Sequence, residues 1–242
     1  KQVENFFVKN GHVSVARYPV VCRWRPDLFF TVASIVDFQR IEGGRVTFQL
    51  PENPLIVPQM CLRFNDIANV GVSGKHFTSF CMIGQHSIAD DKGYWKDRCV
   101  ELDYELLTGP FGIPPKEIVW MEDVWLGYGA FGYALEYHVR GIELGNQVYI
   151  THEQTPYGNR ELRIKVLDMG MGQERCAWFS QGKDTIYDAT FPKVMKSLYD
   201  ISSLKPDEEF MKSYIPYAGY LDVDEVENLD ETWKFVAKKI KI

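Results

Sequence analysis

Apolar residues recur with two different periods along this chain, and the change of period divides it into regions. In residues 2–10, Val3, Phe6 and Phe7 fall at helical spacing and Gly11 follows as a stop, which predicts a short helix. A second helix is predicted over 96–108, where Cys99, Val100, Leu102, Leu106 and Leu107 share one broad face before Pro110. Between 118 and 166 the period becomes two. Leu135, Tyr137 and Val139 alternate with Glu136, His138 and Arg140, and Leu162, Ile164 and Val166 alternate with Arg163 and Lys165. Such alternation predicts an antiparallel sheet with one polar face.

The remaining segments carry weaker signals. Residues 18–39 read as extended, punctuated by Pro19 and Pro26, with the apolar run 28–32 a buried strand. Residues 41–58 read as a loop on their glycines and prolines. Two apolar segments, 60–64 and 77–83, flank the polar link 65–75 and predict a hairpin with a long connection. Helices are expected over 173–180 and 188–199. From Ile201 the chain turns acidic, Pro206 and Pro216 suggest a linker, and 227–239 suggests a further helix.

A chain of 242 residues fits one large domain, or a compact domain with a short appendage. Twenty-seven basic against thirty-three acidic residues gives a net charge of −6, which argues against a uniform basic face and against DNA as a partner. The five cysteines are scattered, odd in number and without a CxxC pair, a pattern expected of reduced thiols in an intracellular protein. No apolar run approaches the roughly 18 residues that a membrane helix needs, so no membrane association is expected. The chain begins without Met and ends at Lys-Ile-Lys-Ile, and a piece of something longer is the expectation.

Three motifs bear on chemistry. Gly127, Gly129 and Gly132 match GxGxxG, but residues 134–139 alternate like a strand, where a dinucleotide fingerprint requires a helix; a glycine-rich turn is expected instead. The segment 166–175 (VLDMGMGQER) runs from an alternating strand into a helix. Its glycines admit a flat ring near the backbone, and Arg175 in the first helical turn can reach a phosphate. Arg63 is read on a short apolar strand, with His76 and Phe80 four apart on one face of the returning strand. Arginine, histidine and an aromatic plate suit a nucleoside triphosphate. His76, Cys81 and His86 lack the spacing of a structural zinc, so no zinc site is expected.

In their joint order these pieces resemble the aminoacylation core of class II aminoacyl-tRNA synthetases, and most closely the alanyl family in its archaeal form. The resemblance rests on FFVKNGH (6–12), CRWRPDLFFTVASIVDFQ (22–39), NPLIVPQMCLRFNDIANVG (53–71), KHFTSFCM (75–82), YWKDRCVEL (94–102), GYGAFGYALEYHVRGIELGNQVY (127–149), LDMGMGQER (167–175) and WFSQGKDTIYDA (178–189). It implies an α+β fold, an antiparallel β-sheet flanked by helices. It also implies an aminoacylation domain over 1–200 and the start of a helical tRNA-recognition region over 201–242.

The resemblance further implies roles for single residues. Arg63 would hold the α-phosphate of ATP, His76 would lie toward the outer phosphates, and Phe80 would stack on adenine. Gly172 and Arg175 would complete the ATP site, and Glu136 would help to hold Mg2+. Met82, Trp125, Val148 and Gly170 would wall a pocket for one methyl group. Asp168 would pair with the ammonium of L-alanine, with Asn146 on its carboxylate side. Arg63, Arg175 and Asp168 form the catalytic set. Cys81 stands where many members of the family have glutamate.

The implied reaction is alanine–tRNA ligation in the cytoplasm, with ATP, L-alanine and tRNA(Ala) as substrates. The editing function such an enzyme needs would lie on a separate chain or in a missing C-terminal part. Two other readings are a stand-alone paralogue that activates a small amino acid for a non-tRNA acceptor, and a catalytically silent tRNA-binding module. Alanine-dependent pyrophosphate exchange and tRNA charging separate the three.

Overall fold

The computed structural model describes residues 1–204, 207–221 and 228–241. In chain order the elements are α1 (Gln2–Lys9), β1 (Val13–Ser14), β2 (Gln39–Glu42), β3 (Arg45–Phe48), β4 (Leu55–Leu62), β5 (Ser79–Ile88), α2 (Lys96–Thr108), β6 (Ile118–Gly127), β7 (Ala130–Val139), β8 (Ile142–Thr155) and β9 (Gly158–Gly172). Five helices follow: α3 (Gln173–Gln181), α4 (Ile186–Thr190), α5 (Pro192–Ser202), α6 (Glu208–Ala218) and α7 (Leu229–Ile240). The chain divides into two compact units, Lys1–Leu62 with Cys81–Gln173, and Arg63–Phe80 with Glu174–Ile242.

The first unit is built on a mixed but mostly antiparallel sheet. Among the described residues, seven strands pair in the order β1-β4-β5-β9-β8-β7-β6, with β1 parallel to β4. The expected α+β class with an antiparallel sheet and flanking helices is what the chain forms. The period-2 stretch became β6 to β9, three successive antiparallel pairings. Tyr128 and Gly129 form the tight turn between β6 and β7, both at positive φ (53° and 81°), so the glycine cluster is a hairpin turn as expected. Its last glycine serves a different end: a Cβ on Gly132 would lie 2.2 Å from the Tyr149 carbonyl oxygen of the neighbouring strand.

Each face of this sheet has its own cover. On one side α2 presents Cys99, Leu102 and Leu106, all fully buried, at the helical spacing read in the sequence. Asp103 joins them, accepting a hydrogen bond from Gln147 on β8, and Gln85 on β5 donates to Tyr94 at 2.6 Å. On the other side Ile35, Val36, Phe38, Val46 and Phe48 pack with Leu55, Val57, Ala134, Val148, Ile150 and Val166 in one core cluster.

That second cover departs from the expectation. Residues 28–32 form no strand: Phe29 is 86% exposed and only an isolated bridge joins Val21 to Phe30. The buried apolar element is instead the 3-10 helix Ser34–Phe38, whose five residues are all buried. Residues 41–58 are not a loop either. β2 and β3 form a hairpin closed by Gly43 and Gly44, both at positive φ (59° and 74°), the two-residue turn that a Gly-Gly pair favours.

The second unit contains the connection between β4 and β5, together with α3 to α7. The helix expected over 188–199 is two helices, because Pro192 cannot donate to the preceding turn and starts α5 anew. Pro216 lies in the last turn of α6, so 208–218 is helical where a linker was expected. Pro206 and residue 227, named in the same expectations, lie outside the described residues, while α7 bears out the helix over 229–239.

Candidate active site

Partners in a β-ladder share a face, and residues two apart on a strand do so too. The registers therefore place side chains of four strands in rows. One row runs Gly84, Gly170, Asn146, Glu136 across β5, β9, β8 and β7. The next runs His86, Asp168, Val148, Ala134. Met82 pairs with Gly172 and Trp125 with Gly132 on the same face, in the rows to either side. All eight sequence-predicted residues of the first unit (Met82, Trp125, Glu136, Asn146, Val148, Asp168, Gly170 and Gly172) thus lie on one face of the sheet. It is the face under the Ser34–Phe38 helix, since Val148 and Ala134 belong to that cluster and Met82 and Trp125 pack against it.

The polar groups of this face are ordered. Asn146 Nδ2 donates to Glu136 Oε1 at 3.3 Å, and Glu136 Oε2 lies 2.8 Å from His138 Nε2. A carboxylate only accepts, so the amide must turn its nitrogen to Glu136. The opposite end, Asn146 Oδ1, is buried and has no hydrogen-bond partner among the described residues. Asp168 is 6% exposed and its Oδ1 lies 3.4 Å from His86 Nδ1. Space above Gly170 is small, since a Cβ there would come 2.9 Å from Met82 Sδ. The face can hold a small cation: a buried carboxylate and an unsatisfied carbonyl oxygen stand beside apolar walls.

His86, weighed in the sequence only as a metal ligand, is buried on this face with its Nε2 3.0 Å from Ser34 Oγ. Its spacing from Met82, four positions on a strand, was the available signal for a shared face.

The second unit holds the remaining candidates. Arg63 and Phe80 meet there, with the guanidinium carbon 5.1 Å from the ring centroid. Arg63 follows the end of β4 rather than lying on it, and its backbone N donates to the Thr78 carbonyl at 2.9 Å, closing the neck of the connection. His76 precedes β5, which begins at Ser79, so the shared strand face expected for His76 and Phe80 does not exist. Instead His76 Nδ1 lies 2.5 Å from Ser73 Oγ. Tyr187 of α4 pins this segment, accepting from Gly71 N at 2.7 Å and donating to the His76 carbonyl at 2.8 Å. Phe77 packs edge-on against Tyr187 and Phe191. Arg175 is the third residue of α3, which starts directly after β9, as the strand-to-helix reading of 166–175 required.

Comparison with known proteins identifies the family. Residues 2–242 match the family described as tRNA synthetases class II (A). The chain is 51% identical over 242 residues to an alanine–tRNA ligase of Nitrosopumilus maritimus, covering all of this chain and 27% of that protein. It is 55% identical over 215 residues to the enzyme of that name from Cenarchaeum symbiosum (88% of this chain, 24% of that one) and 47% identical over 240 residues to that of Methanocella arvoryzae. The chain thus spans about a quarter of the length of the curated relatives it matches. With the family match running over essentially its whole length, the chain belongs to the class II (A) tRNA synthetases.

Proposed function

We propose that this chain is the aminoacylation core of an alanine–tRNA ligase, activating L-alanine with ATP and transferring it to the 3′ end of tRNA(Ala). The observation that carries the reading is the sheet face with Asp168 and the unsatisfied Asn146 Oδ1 among Met82, Trp125, Val148 and Gly170. An ammonium group needs acceptors, and burying it without a carboxylate is very costly. The amide orientation, with its nitrogen on Glu136, supports reading Asn146 Oδ1 as an acceptor for the ammonium, in place of the carboxylate-side role that the family resemblance implied.

Activation joins a carboxylate oxygen of alanine to the α-phosphorus of ATP and expels pyrophosphate. Transfer then joins a ribose hydroxyl of the tRNA to the alanyl carbonyl and releases AMP. Neither step requires a protein nucleophile, so these residues act by orientation and charge. Arg63, laid along the Phe80 ring, offers charge for the α-phosphate beside a plate for adenine. His76 and Arg175 serve the outer phosphates. Mg2+, when bound, supplies positive charge to the phosphates. Glu136 is the residue that would hold it: its carboxylate accepts from Asn146 and His138 and retains further lone pairs, and Mg2+ commonly takes few protein ligands.

Residues 1–200 form the aminoacylation region in this reading, and 201–242 begin the tRNA-recognition region. One methyl group distinguishes alanine from glycine by only about 1–3 kcal/mol, so proofreading is expected in the part of the longer protein beyond this core or on a separate chain. A cytoplasmic site of action belongs to the same proposal, since translation there consumes the charged tRNA. Alanine-dependent exchange of labelled pyrophosphate into ATP, followed by charging of a tRNA(Ala) transcript, tests the proposal. Exchange without charging favours a non-tRNA acceptor, and no exchange contradicts it.

A further inference from the structure

Trp125 reaches the candidate face from β6, and its indole leans toward the turn that follows. A Cβ on Gly127 would fall 3.1 Å from Trp125 Cζ2 and 3.4 Å from Cη2, and the ring centroids of Trp125 and Tyr128 are 6.0 Å apart. The indole also packs on the buried cluster that contains Ala134, Val148 and Ile150. The seat of the β6–β7 turn therefore decides where this wall stands.

Three contacts hold the turn. Gly129 lies against β3, where a Cβ would come 2.7 Å from Val46 Cγ2, and its carbonyl accepts from Gln154 N at 2.9 Å. The third contact is Arg25, whose Nη2 donates to the Tyr128 carbonyl at 3.2 Å. Arg25 is fully buried, and each of its side-chain nitrogens donates. Nε and Nη2 form a bidentate pair with Asp27 at 2.9 and 2.6 Å, and Nη1 donates to Gln39 Oε1 on β2. The Arg25 guanidinium holds the Asp27 carboxyl below the usual carboxylate range, so the pair is ionic. Taking a guanidinium out of water is costly, and a buried ion pair adds little stability over apolar side chains of the same volume. What the planar fork supplies is geometry: it fixes the angles between residues 25–27, the start of β2 and the β6–β7 turn.

We propose that Arg25 is a positioning residue that seats the β6–β7 turn and thereby sets the Trp125 indole as a wall of the amino-acid pocket. Arg25 is then a determinant of selection by size, although it does not touch the substrate. The proposal rests on Trp125 lining the alanine pocket of the proposed reaction.

Pyrophosphate exchange by the chain and its Arg25→Lys variant tests it, with amino acid and ATP varied separately. An ammonium keeps the charge beside Asp27 but cannot serve Asp27, Gln39 and the Tyr128 carbonyl in one plane. The alanine KM should rise about fivefold or more while the ATP KM stays within about twofold, and the preference for alanine over glycine should fall about threefold. Because the effect passes through the indole, it should largely vanish in a Trp125→Phe background. An unshifted alanine KM, an equal rise in both KM values, or a full effect of Arg25→Lys in Trp125→Phe would overturn the proposal. Fluorine NMR of the chain labelled with 5-fluorotryptophan gives a readout apart from activity. The Trp125 signal, assigned by its loss in Trp125→Phe, should shift or broaden in Arg25→Lys, while that of Trp95, which caps α2 and packs on Tyr149, stays in place. An unmoved Trp125 signal would overturn the proposal. If Arg25→Lys fails to fold, Asp27→Asn takes its place: that side chain is 48% exposed, and losing the bidentate anchor should move the same quantities in the same direction, with the same contrary results decisive. Absence of alanine-dependent exchange in the unaltered chain removes the alanine reading, and the fluorine spectra still decide whether Arg25 seats the indole. Normal exchange with an unmoved Trp125 signal removes only the positioning role.

Discussion

Asn146 turns its amide nitrogen to Glu136 and leaves its buried Oδ1 without a hydrogen-bond partner among the described residues. Unsatisfied buried acceptors are uncommon in folded proteins, because each forfeits its hydration for nothing. Here the orphan oxygen shares a sheet face with Asp168, the two lying in ladder pairs two apart along β8 and β9. In the proposed reading the two are the acceptors for the substrate's ammonium.

Replacing Asn146 by Ala removes the acceptor and frees Glu136. The alanine KM in pyrophosphate exchange is expected to rise about tenfold, and the ATP KM to change much less. Replacing it by Asp sets a carboxylate against Glu136 and should be worse than Ala in alanine binding, despite its similar shape.

Gly170 sets the size of the proposed pocket. An added Cβ would lie 2.9 Å from Met82 Sδ, the flexible end of a side chain that can give way, so Gly170→Ala should fold. It should lower activation of alanine more than that of glycine, shifting the ratio of the two kcat/KM values by about tenfold. Competition between labelled amino acids in the exchange assay measures this ratio.

Gly132 answers to backbone instead of a side chain. A Cβ there would meet the Tyr149 carbonyl oxygen at 2.2 Å, on a neighbouring strand that cannot yield without losing its ladder. Gly132→Ala is expected to cost roughly 1–3 kcal/mol or more in urea denaturation.

Asp37 gives the fold a pH dependence. Both carboxylate oxygens are buried without hydrogen-bond partners among the described residues, and burial pushes its pKa up to about 8, with Arg40 opposing. The folded state therefore keeps a proton that the unfolded chain releases near its ordinary carboxylate range. The stability linked to this group is complete below about pH 4 and is lost as pH rises toward about 8. Asp37→Asn should remove that part of the slope, so its advantage over the parent chain in urea denaturation grows from pH 4 to pH 8. A constant difference across this range would show that Asp37 is not protonated in the fold.

Much of this architecture was legible from hydrophobic spacing. α1, α2 and the strands β6 to β9 follow from it because each buries one regular face. The 3-10 helix Ser34–Phe38 did not, because a short element buried on all sides leaves no alternation to read. The β2–β3 hairpin was missed although Gly43-Gly44 is a recognised turn signal; the pair was counted with the nearby prolines as a sign of a loop. His76 was set on a strand because the start of β5 was read too early, and Pro216 was taken as a break although it lies near a helix end. The candidate site was legible as a set of residues only through the family resemblance. That Glu136, Asn146 and Asp168 share a face depends on the register of strands whose partners lie far apart in sequence, which one strand's pattern does not contain.

The central claim is that Asp168 receives the amino acid's ammonium in the proposed reaction. Titration calorimetry with a non-hydrolysable alanyl-adenylate analogue addresses it without turnover. The unaltered chain should bind one equivalent, and Asp168→Asn should weaken binding at least about tenfold while remaining folded by circular dichroism. Binding undiminished in the folded variant would contradict the claim.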